Sequence, residues 1–281
     1  MTVSQLTAWP RTTVGRAETI AGPSLATGAE VTVTIRPAEA GTGILFRHLP
    51  TGTGVPADLH HVAEVPNCTS LALGEVRIDF VEHLMAALWA HRISDAAIEV
   101  DGGEVPVLDG SAAPYAALLQ RAGEAGLEGD VPVIEVSGRV FYHSRDGCII
   151  LAKPGRGYSY ALEHAHPLIG SQFATYRPDS ESFAQSLASA RTFATEQEVR
   201  ALLAARGWQG AQPDMAIVAF DDHLSTPEPM GNSFARHKIV DLIGDLYLLG
   251  RPLVADVIAC KTGHADNRAL ARTIAKAYRL G

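Results

Sequence analysis

Residues 233–250, SFARHKIVDLIGDLYLLG, predict a long helix that is apolar on nearly every side. His237, Asp241 and Asp245 are spaced four residues apart, so they fall along one stripe of that helix. A helix that is apolar nearly all round is normally buried. Buried carboxylates are costly unless a cation, a metal ion or dense hydrogen bonding compensates them. The stretch therefore predicts a buried polar site, whose other components must come from elsewhere in the chain.

The composition is that of a globular protein with sizeable cores. Hydrophobic residues make up 47% of the 281 residues, which argues against disorder. The formal net charge of -8 disfavours nucleic acid as a partner, because such binding depends on clustered Lys and Arg. The cysteines are scattered at Cys68, Cys148 and Cys260, which favours neither a disulfide framework nor a cysteine zinc site.

No targeting or membrane-spanning segment is predicted. The opening stretch MTVSQLTAWPRTTVGRAETI lacks the apolar core of a signal peptide. No segment approaches the roughly 18 continuous apolar residues that a spanning helix needs. We therefore expect a soluble protein of a reducing cytoplasm, without membrane insertion. The sequence does not indicate an oligomeric state.

Strand and helix patterns occur in a similar order in both halves of the chain. Residues 29–47 contain two runs rich in Val, Thr and Ile around a Pro/Gly turn, and we predict a hairpin there. The Gly-rich, charged stretch EAGLEGDVPV, residues 124–133, is predicted to be a linker without secondary structure. These patterns predict two α+β domains, residues 1–128 and 129–281.

The pair His237 and Asp241 could bind one metal ion from a single helix face, since residues at i and i+4 face the same way. Catalytic zinc takes about three protein ligands, so a third would have to come from another segment. The simpler interpretation is a hydrogen bond on a helix surface, which is the commoner meaning of an isolated pair. The apolar surroundings and Asp245 favour a metal site.

Two further segments carry candidate groups. In FVEHLMAAL, residues 80–88, Glu82 and His83 could be a general base and a metal ligand, although a Glu also suits the first turn of any helix. In ACKTGHADN, residues 259–267, His264 follows a Gly turn; it could be an acid near neutral pH or a capping residue.

Six motifs together resemble one known family. VEHLMAAL, DGSAAPY, HPLIGSQ, ARTF, FARHKIVDLIGDLYLLG and KTGHADN occur in the order found in the zinc-dependent UDP-3-O-acyl-N-acetylglucosamine deacetylases of lipid A biosynthesis. The resemblance extends from about Thr13 to the end of the chain. It implies two similar domains, each a sheet packed against helices, with the active site between them. It also implies hydrolysis of the N-acetyl amide of a UDP-linked amino sugar.

The resemblance implies roles for individual residues. The implied ligands of Zn²⁺ are His83, His237 and Asp241. The implied catalytic groups are Glu82 as general base, His264 as the acid that protonates the leaving amine, Asp245 as the group that keeps His264 charged, and Thr192 as an oxyanion donor. The implied contacts with the nucleotide-sugar substrate are Phe193, Lys238 and Lys261.

The alternative functions predict different properties for the segment that follows the ARTF motif. That segment opens with the polar residues Thr195, Glu196 and Gln197, whereas the resemblance implies an apolar passage for an acyl chain there. One alternative is a paralogous deacetylase for another N-acylated amino sugar or nucleoside without a long acyl chain. A third hypothesis, a relative that only binds a sugar nucleotide, is disfavoured because every implied catalytic position is filled. The deciding feature is whether residues 199–208 form an apolar groove.

Overall fold

The computed structural model describes residues 8–144 and 147–280. Part of the opening stretch inspected for a signal peptide, residues 1–7, lies outside the described residues. The strands are β1 (Ala8–Val14), β2 (Glu18–Pro23), β3 (Glu30–Pro37), β4 (Ile44–His48), β5 (Thr53–Pro56), β6 (Val62–Ala63), β7 (Ser70–Leu73), β8 (Val76–Ile78), β9 (Ala96–Val100), β10 (Glu124–Pro132), β11 (Ile134–Glu135), β12 (Val140–His143), β13 (Ile149–Lys153), β14 (Gly157–Glu163), β15 (Ser171–Tyr176), β16 (Phe193–Thr195), β17 (Ile217–Ala219), β18 (Leu253–Val254) and β19 (Asp256–Cys260). The helices are α1 (Glu82–Ala90), α2 (Ala113–Ala122), α3 (Phe183–Ser186), α4 (Glu196–Arg206), α5 (Ser233–Tyr247) and α6 (His264–Ala277).

Two five-stranded sheets share one topology, β2-β3-β9-β4-β5 in the first half of the chain and β12-β13-β19-β14-β15 in the second. In each sheet the central strand pairs in parallel with one neighbour, β4 or β14, and every other pairing is antiparallel. Helices α1 and α2 flank β9 in the chain, and α5 and α6 flank β19 in the same way. The predicted α+β fold with two similar units is confirmed.

The prediction that residues 124–133 lack secondary structure is wrong. Residues 124–132 form β10, which pairs with β1 from Ala8↔Pro132 to Val14↔Glu124. Gly and charged residues favour loops locally, but a strand exposed at a sheet edge tolerates them, and here a partner strand from the far end of the sequence supplies the hydrogen bonds. The division of the chain near residue 129 stays a prediction.

The hairpin predicted over residues 29–47 is also wrong. Its two runs are the strands β3 and β4, but they do not pair with each other. The buried strand β9, AAIEV, lies between them, antiparallel to β3 and parallel to β4. The alternating pattern identified the strands correctly, whereas their pairing partner is β9, a strand that follows α1 further along the chain.

Helices α1 and α5 pack against each other at the junction of the two units. A single cluster of buried apolar side chains includes both helices and both five-stranded sheets. The crossing depends on Gly244 in α5, because a Cβ atom there would lie 2.1 Å from the backbone oxygen of Glu82 in α1. No ordinary contact is that short, so the two backbones approach this closely only because residue 244 has no side chain. Within the described residues, no helix is both long and apolar enough to cross a membrane.

We predict that Gly244→Ala lowers the free energy of unfolding by about 1–3 kcal/mol, because the added methyl group forces α1 and α5 apart. Urea unfolding measures the change. Gly231→Ala is the matched control, since a Cβ atom at Gly231 would meet nothing within 4 Å. A Gly244→Ala protein that unfolds at the wild-type urea concentration would contradict the tight crossing.

Candidate metal centre

The crossing of α1 and α5 brings three possible metal ligands together. His83 lies in the first turn of α1, while His237 and Asp241 lie one turn apart on α5. The Nε2 atoms of His83 and His237 are 3.0 Å apart. Asp241 Oδ1 is 3.4 Å from Nε2 of His83 and 3.6 Å from Nε2 of His237. The three donor atoms thus form a compact triangle contributed by both halves of the chain.

The triangle has the size and the unsatisfied atoms expected of a metal site. Zinc bonds of 2.0–2.2 Å in a tetrahedral arrangement place donor atoms about 3.3 Å apart, close to the observed separations. All three side chains are buried. Within the described residues, Asp241 Oδ1 and His237 Nδ1 have no hydrogen-bond partner. A buried carboxylate oxygen without a partner is costly, so the residues fit a bound cation that this oxygen would contact.

The electrostatics of the site favour the protonation states that bind metal. Burial lowers the pKa of His237 to about 3, so its ring is neutral at physiological pH. Burial alone would raise the pKa of Asp241, but the neighbouring His237, Lys238 and His264 outweigh it and hold this pKa well below its usual value. A neutral imidazole and an ionised carboxylate are the forms that coordinate a divalent metal.

Glu82 lies beside the triangle with one oxygen anchored and the other directed at His264. Its Oε2 accepts a hydrogen bond from the Thr69 N–H at 2.9 Å. Its Oε1 is 3.8 Å from Nε2 of His264. Burial raises the pKa of Glu82, partly opposed by His264 and His83. A carboxylate whose pKa is raised toward neutrality is suited to accept a proton.

His264 and Asp245 form a hydrogen-bonded pair on the other side of the site. The Nδ1 atom of His264 donates to Asp245 Oδ2 at 2.9 Å, which leaves Nε2 facing Glu82 and Asp241. Burial would lower the pKa of His264, but Asp245 and Asp241 raise it to about 9. The imidazole is therefore held in its charged form at neutral pH, as a proton donor requires.

Two of the residues expected to contact substrate lie directly at the triangle. The ring of Phe193 is 6.2 Å from the ring of His237, edge to face. Lys238 Nζ donates to Asp241 Oδ2 at 2.7 Å, so its positive charge is paired with the carboxylate of a candidate metal ligand. Burial would lower the pKa of Lys238, but Asp241 raises it above its usual value.

Thr192 and Lys261 are held by groups other than the candidate ligands. The Thr192 N–H donates to the Gly110 carbonyl at 2.7 Å, and its carbonyl accepts from the Ile217 N–H at 2.8 Å, which fixes the backbone next to Phe193. Lys261 forms an ion pair with Glu163 at 2.5 Å, and its side chain is 40% exposed. The roles expected of their side chains stay predictions.

Sequence reasoning missed three buried residues that support the site. Thr69 donates through its hydroxyl to Asp245, Asn267 Nδ2 donates to Asp245 Oδ2 at 2.9 Å, and Arg268 Nη1 donates to the Thr69 hydroxyl at 3.1 Å. Asn267 and Arg268 could have been suspected, because they follow His264 at helical spacing on α6. No local pattern distinguishes Thr69 from an ordinary residue that precedes a strand.

Comparison with known proteins gives a consistent result. Residues 11–276 match the family described as UDP-3-O-acyl N-acetylglycosamine deacetylase. Proteins named UDP-3-O-acyl-N-acetylglucosamine deacetylase are similar over most of the chain. The protein of Anaeromyxobacter dehalogenans (strain 2CP-C) is 36% identical, with 96% of this chain and 88% of the relative covered. That of Citrifermentans bemidjiense is also 36% identical, covering 94% and 88%, and that of Acidithiobacillus ferrooxidans is 37% identical, covering 90% and 86%.

We predict that His237→Ala loses tight zinc binding, because the triangle would keep only two of its donor atoms. Zinc content after dialysis, measured by atomic absorption, should fall from about one ion per chain to a small fraction of that, since catalytic zinc needs about three protein ligands. His223→Ala is the control, because His223 is exposed and pairs with Asp222. A His237→Ala protein with full zinc stoichiometry and affinity would remove His237 from the ligand set.

Proposed function

The chain belongs to the UDP-3-O-acyl N-acetylglycosamine deacetylase family, and we propose that a zinc ion held by His83, His237 and Asp241 is the centre of its reaction. It is a hydrolase of an amide bond, a UDP-3-O-acyl-N-acetylglucosamine deacetylase that removes the N-acetyl group of a UDP-linked amino sugar. The observation that carries the zinc assignment is the triangle of donor atoms at the α1–α5 crossing, in which Asp241 Oδ1 has no other partner among the described residues.

Glu82 is proposed as the general base. A bound zinc ion would supply Lewis acidity, polarising the amide carbonyl and making a water molecule nucleophilic at neutral pH. Glu82 would take the proton of that water through Oε1, because Oε2 is already engaged by the Thr69 N–H. Burial raises the pKa of Glu82 above its ordinary value, which makes the carboxylate a better proton acceptor.

His264 is proposed as the general acid that completes the cleavage. An amine leaves poorly unless it is protonated, so the breaking C–N bond needs a proton donor. The Nε2–H of charged His264 faces the same space as Glu82 Oε1, 3.8 Å away, while Nδ1 is fixed by Asp245. Thr192 is proposed to stabilise the developing oxyanion, a contribution that depends on substrate geometry.

The polar start of the segment after Phe193 has a local explanation. The hydroxyl of Thr195 accepts from the Glu198 N–H, and the Glu198 carboxylate accepts from the Thr195 N–H at 2.7 Å, so the two form a capping box that starts α4. Thr195 and Glu198 therefore stabilise the start of α4. Val199, Leu202 and Leu203 follow on α4 and are partly buried.

This arrangement supports an acylated substrate over the paralogue without a long acyl chain. Trp208, just beyond α4, packs edge to face on Phe80 with ring centroids 5.8 Å apart, which adds apolar surface at the residue two positions before Glu82. Each CH₂ of an acyl chain that becomes buried against such side chains contributes about 0.8 kcal/mol. Phe193, Lys238 and Lys261 are the proposed contacts of the nucleotide sugar. A cytoplasmic location stays a prediction.

The substrate is tested by a paired assay on zinc-loaded protein. We expect acetate release from UDP-3-O-acyl-N-acetylglucosamine and little from UDP-N-acetylglucosamine, because only the first can bury an acyl chain along α4. Release is followed by coupling acetate to a chromogenic reaction. Equal or faster release from the unacylated sugar would favour the paralogue, and release from neither would redirect the search to other N-acylated sugars and nucleosides.

The general base is tested by Glu82→Ala. We expect turnover to fall by at least ~10²-fold with zinc content unchanged, since general base catalysis contributes about that factor and Glu82 is not a ligand. Zinc content and kcat are measured on the same preparation. Full activity in the variant would exclude Glu82 as the base, and loss of zinc would indicate a structural role instead.

A further inference from the structure

Thr69 joins the carboxylates of the two halves of the site. It immediately precedes β7 and is completely buried. Its backbone N–H donates to Glu82 Oε2 at 2.9 Å, and its carbonyl accepts from the Val81 N–H at 3.1 Å. Its hydroxyl donates to Asp245 Oδ1. One residue thus contacts the proposed general base on α1 and the partner of the proposed general acid on α5.

The direction of the Thr69 hydroxyl proton is set by a buried arginine. Arg268 is 1% exposed, and its Nη1 donates to the Thr69 hydroxyl oxygen at 3.1 Å and to the Cys68 carbonyl at 3.3 Å. A guanidinium group can only donate, so the hydroxyl oxygen must accept from it. The single hydroxyl proton is then free for an acceptor, and the nearest one is Asp245.

In each of the two carboxylates, Asp245 and Glu82, Thr69 occupies one oxygen and leaves the other facing His264. Thr69 occupies Oδ1 of Asp245, which leaves Oδ2 for the Nδ1–H of His264 and for Asn267. It also occupies Oε2 of Glu82, which leaves Oε1 facing His264 Nε2. Without the hydroxyl, Asp245 would lose one of its fixed contacts and could rotate away from the imidazole.

We propose that Thr69 is a positioning residue for the deacetylation, orienting Asp245 through its hydroxyl so that His264 presents Nε2–H to the leaving nitrogen. This inference rests on the proposed function. It assigns Thr69 no contact with substrate or metal, so its removal affects the step in which the proton is transferred and not the binding of substrate.

The test compares Thr69→Val, which keeps the shape and the backbone N–H, with Thr69→Ser, which keeps the hydroxyl. For Thr69→Val we expect kcat to fall about 10- to 100-fold, the usual effect of losing a hydrogen bond to a charged group, with KM within about 2-fold and one zinc ion per chain. Thr69→Ser should retain kcat within about 3-fold of wild type, because the hydroxyl–carboxylate bond is kept. Thr13→Val is the matched control: Thr13 is another buried threonine, and its hydroxyl accepts from the Ala38 N–H at 2.9 Å, so its loss should leave kcat unchanged.

Crystal structures of the two variants give a result that does not depend on turnover. In Thr69→Val we expect the Asp245 carboxylate to rotate and its bond to His264 Nδ1 to exceed about 3.5 Å, while Thr69→Ser keeps the wild-type arrangement. The inference is overturned by wild-type kcat in Thr69→Val, by equal loss in both variants, or by an unmoved Asp245. A wild-type protein that releases no acetate would instead contradict the proposed function, and the crystal structures would still decide the role of Thr69.

Discussion

The backbone contact between α1 and α5 is the constraint on which the site depends. Gly244 lets α5 approach the carbonyl of Glu82 more closely than any residue with a Cβ atom would permit. The candidate ligands are divided between these two helices, so the distance between the helix axes sets the size of the triangle formed by His83, His237 and Asp241. Helix spacing within α5 alone would align two candidate ligands, but only the crossing supplies the third, His83, whose Nε2 lies 3.0 Å from His237 Nε2 and 3.4 Å from Asp241 Oδ1.

The burial of three carboxylates at this crossing explains the identity of their neighbours. Asp241 is balanced by Lys238, and Asp245 by His264 and the hydrogen bonds of Thr69 and Asn267, whereas Glu82 accepts one backbone N–H and has His264 and His83 nearby. These differences separate the proton affinities of Asp241 and Glu82: neighbouring positive charges hold the pKa of Asp241 below its usual value, whereas burial raises the pKa of Glu82. The sequence places similar side chains close together, and their environments assign them different chemistry.

How far the fold and the site could be predicted from the sequence depends on how far apart in the chain the interacting residues lie. The stripe on α5 follows from helical periodicity, which is a local property, and the structure has this helix where it was predicted. The pairing of β3 and β4 with β9, and of β10 with β1, depends on partners far along the chain, so local patterns gave a hairpin and a linker instead. Thr69 was missed for the same reason, because it lies 176 residues from Asp245 and carries no charge or repeat that would mark it.

The repeated topology explains how a nearly symmetric scaffold holds an asymmetric site. α1 and α5 occupy equivalent places in the two units, and both contribute candidate metal ligands. Between the edge strand and that helix, the first unit inserts β6–β8 and the second inserts residues 183–219, which include β16, α4 and β17. The first insertion contributes Thr69 to the site, and the second contributes Phe193. The candidate metal ligands thus come from the helix that the two units share, whereas Thr69, which contacts Glu82 and Asp245, and Phe193, which packs near His237, come from the segments in which the units differ.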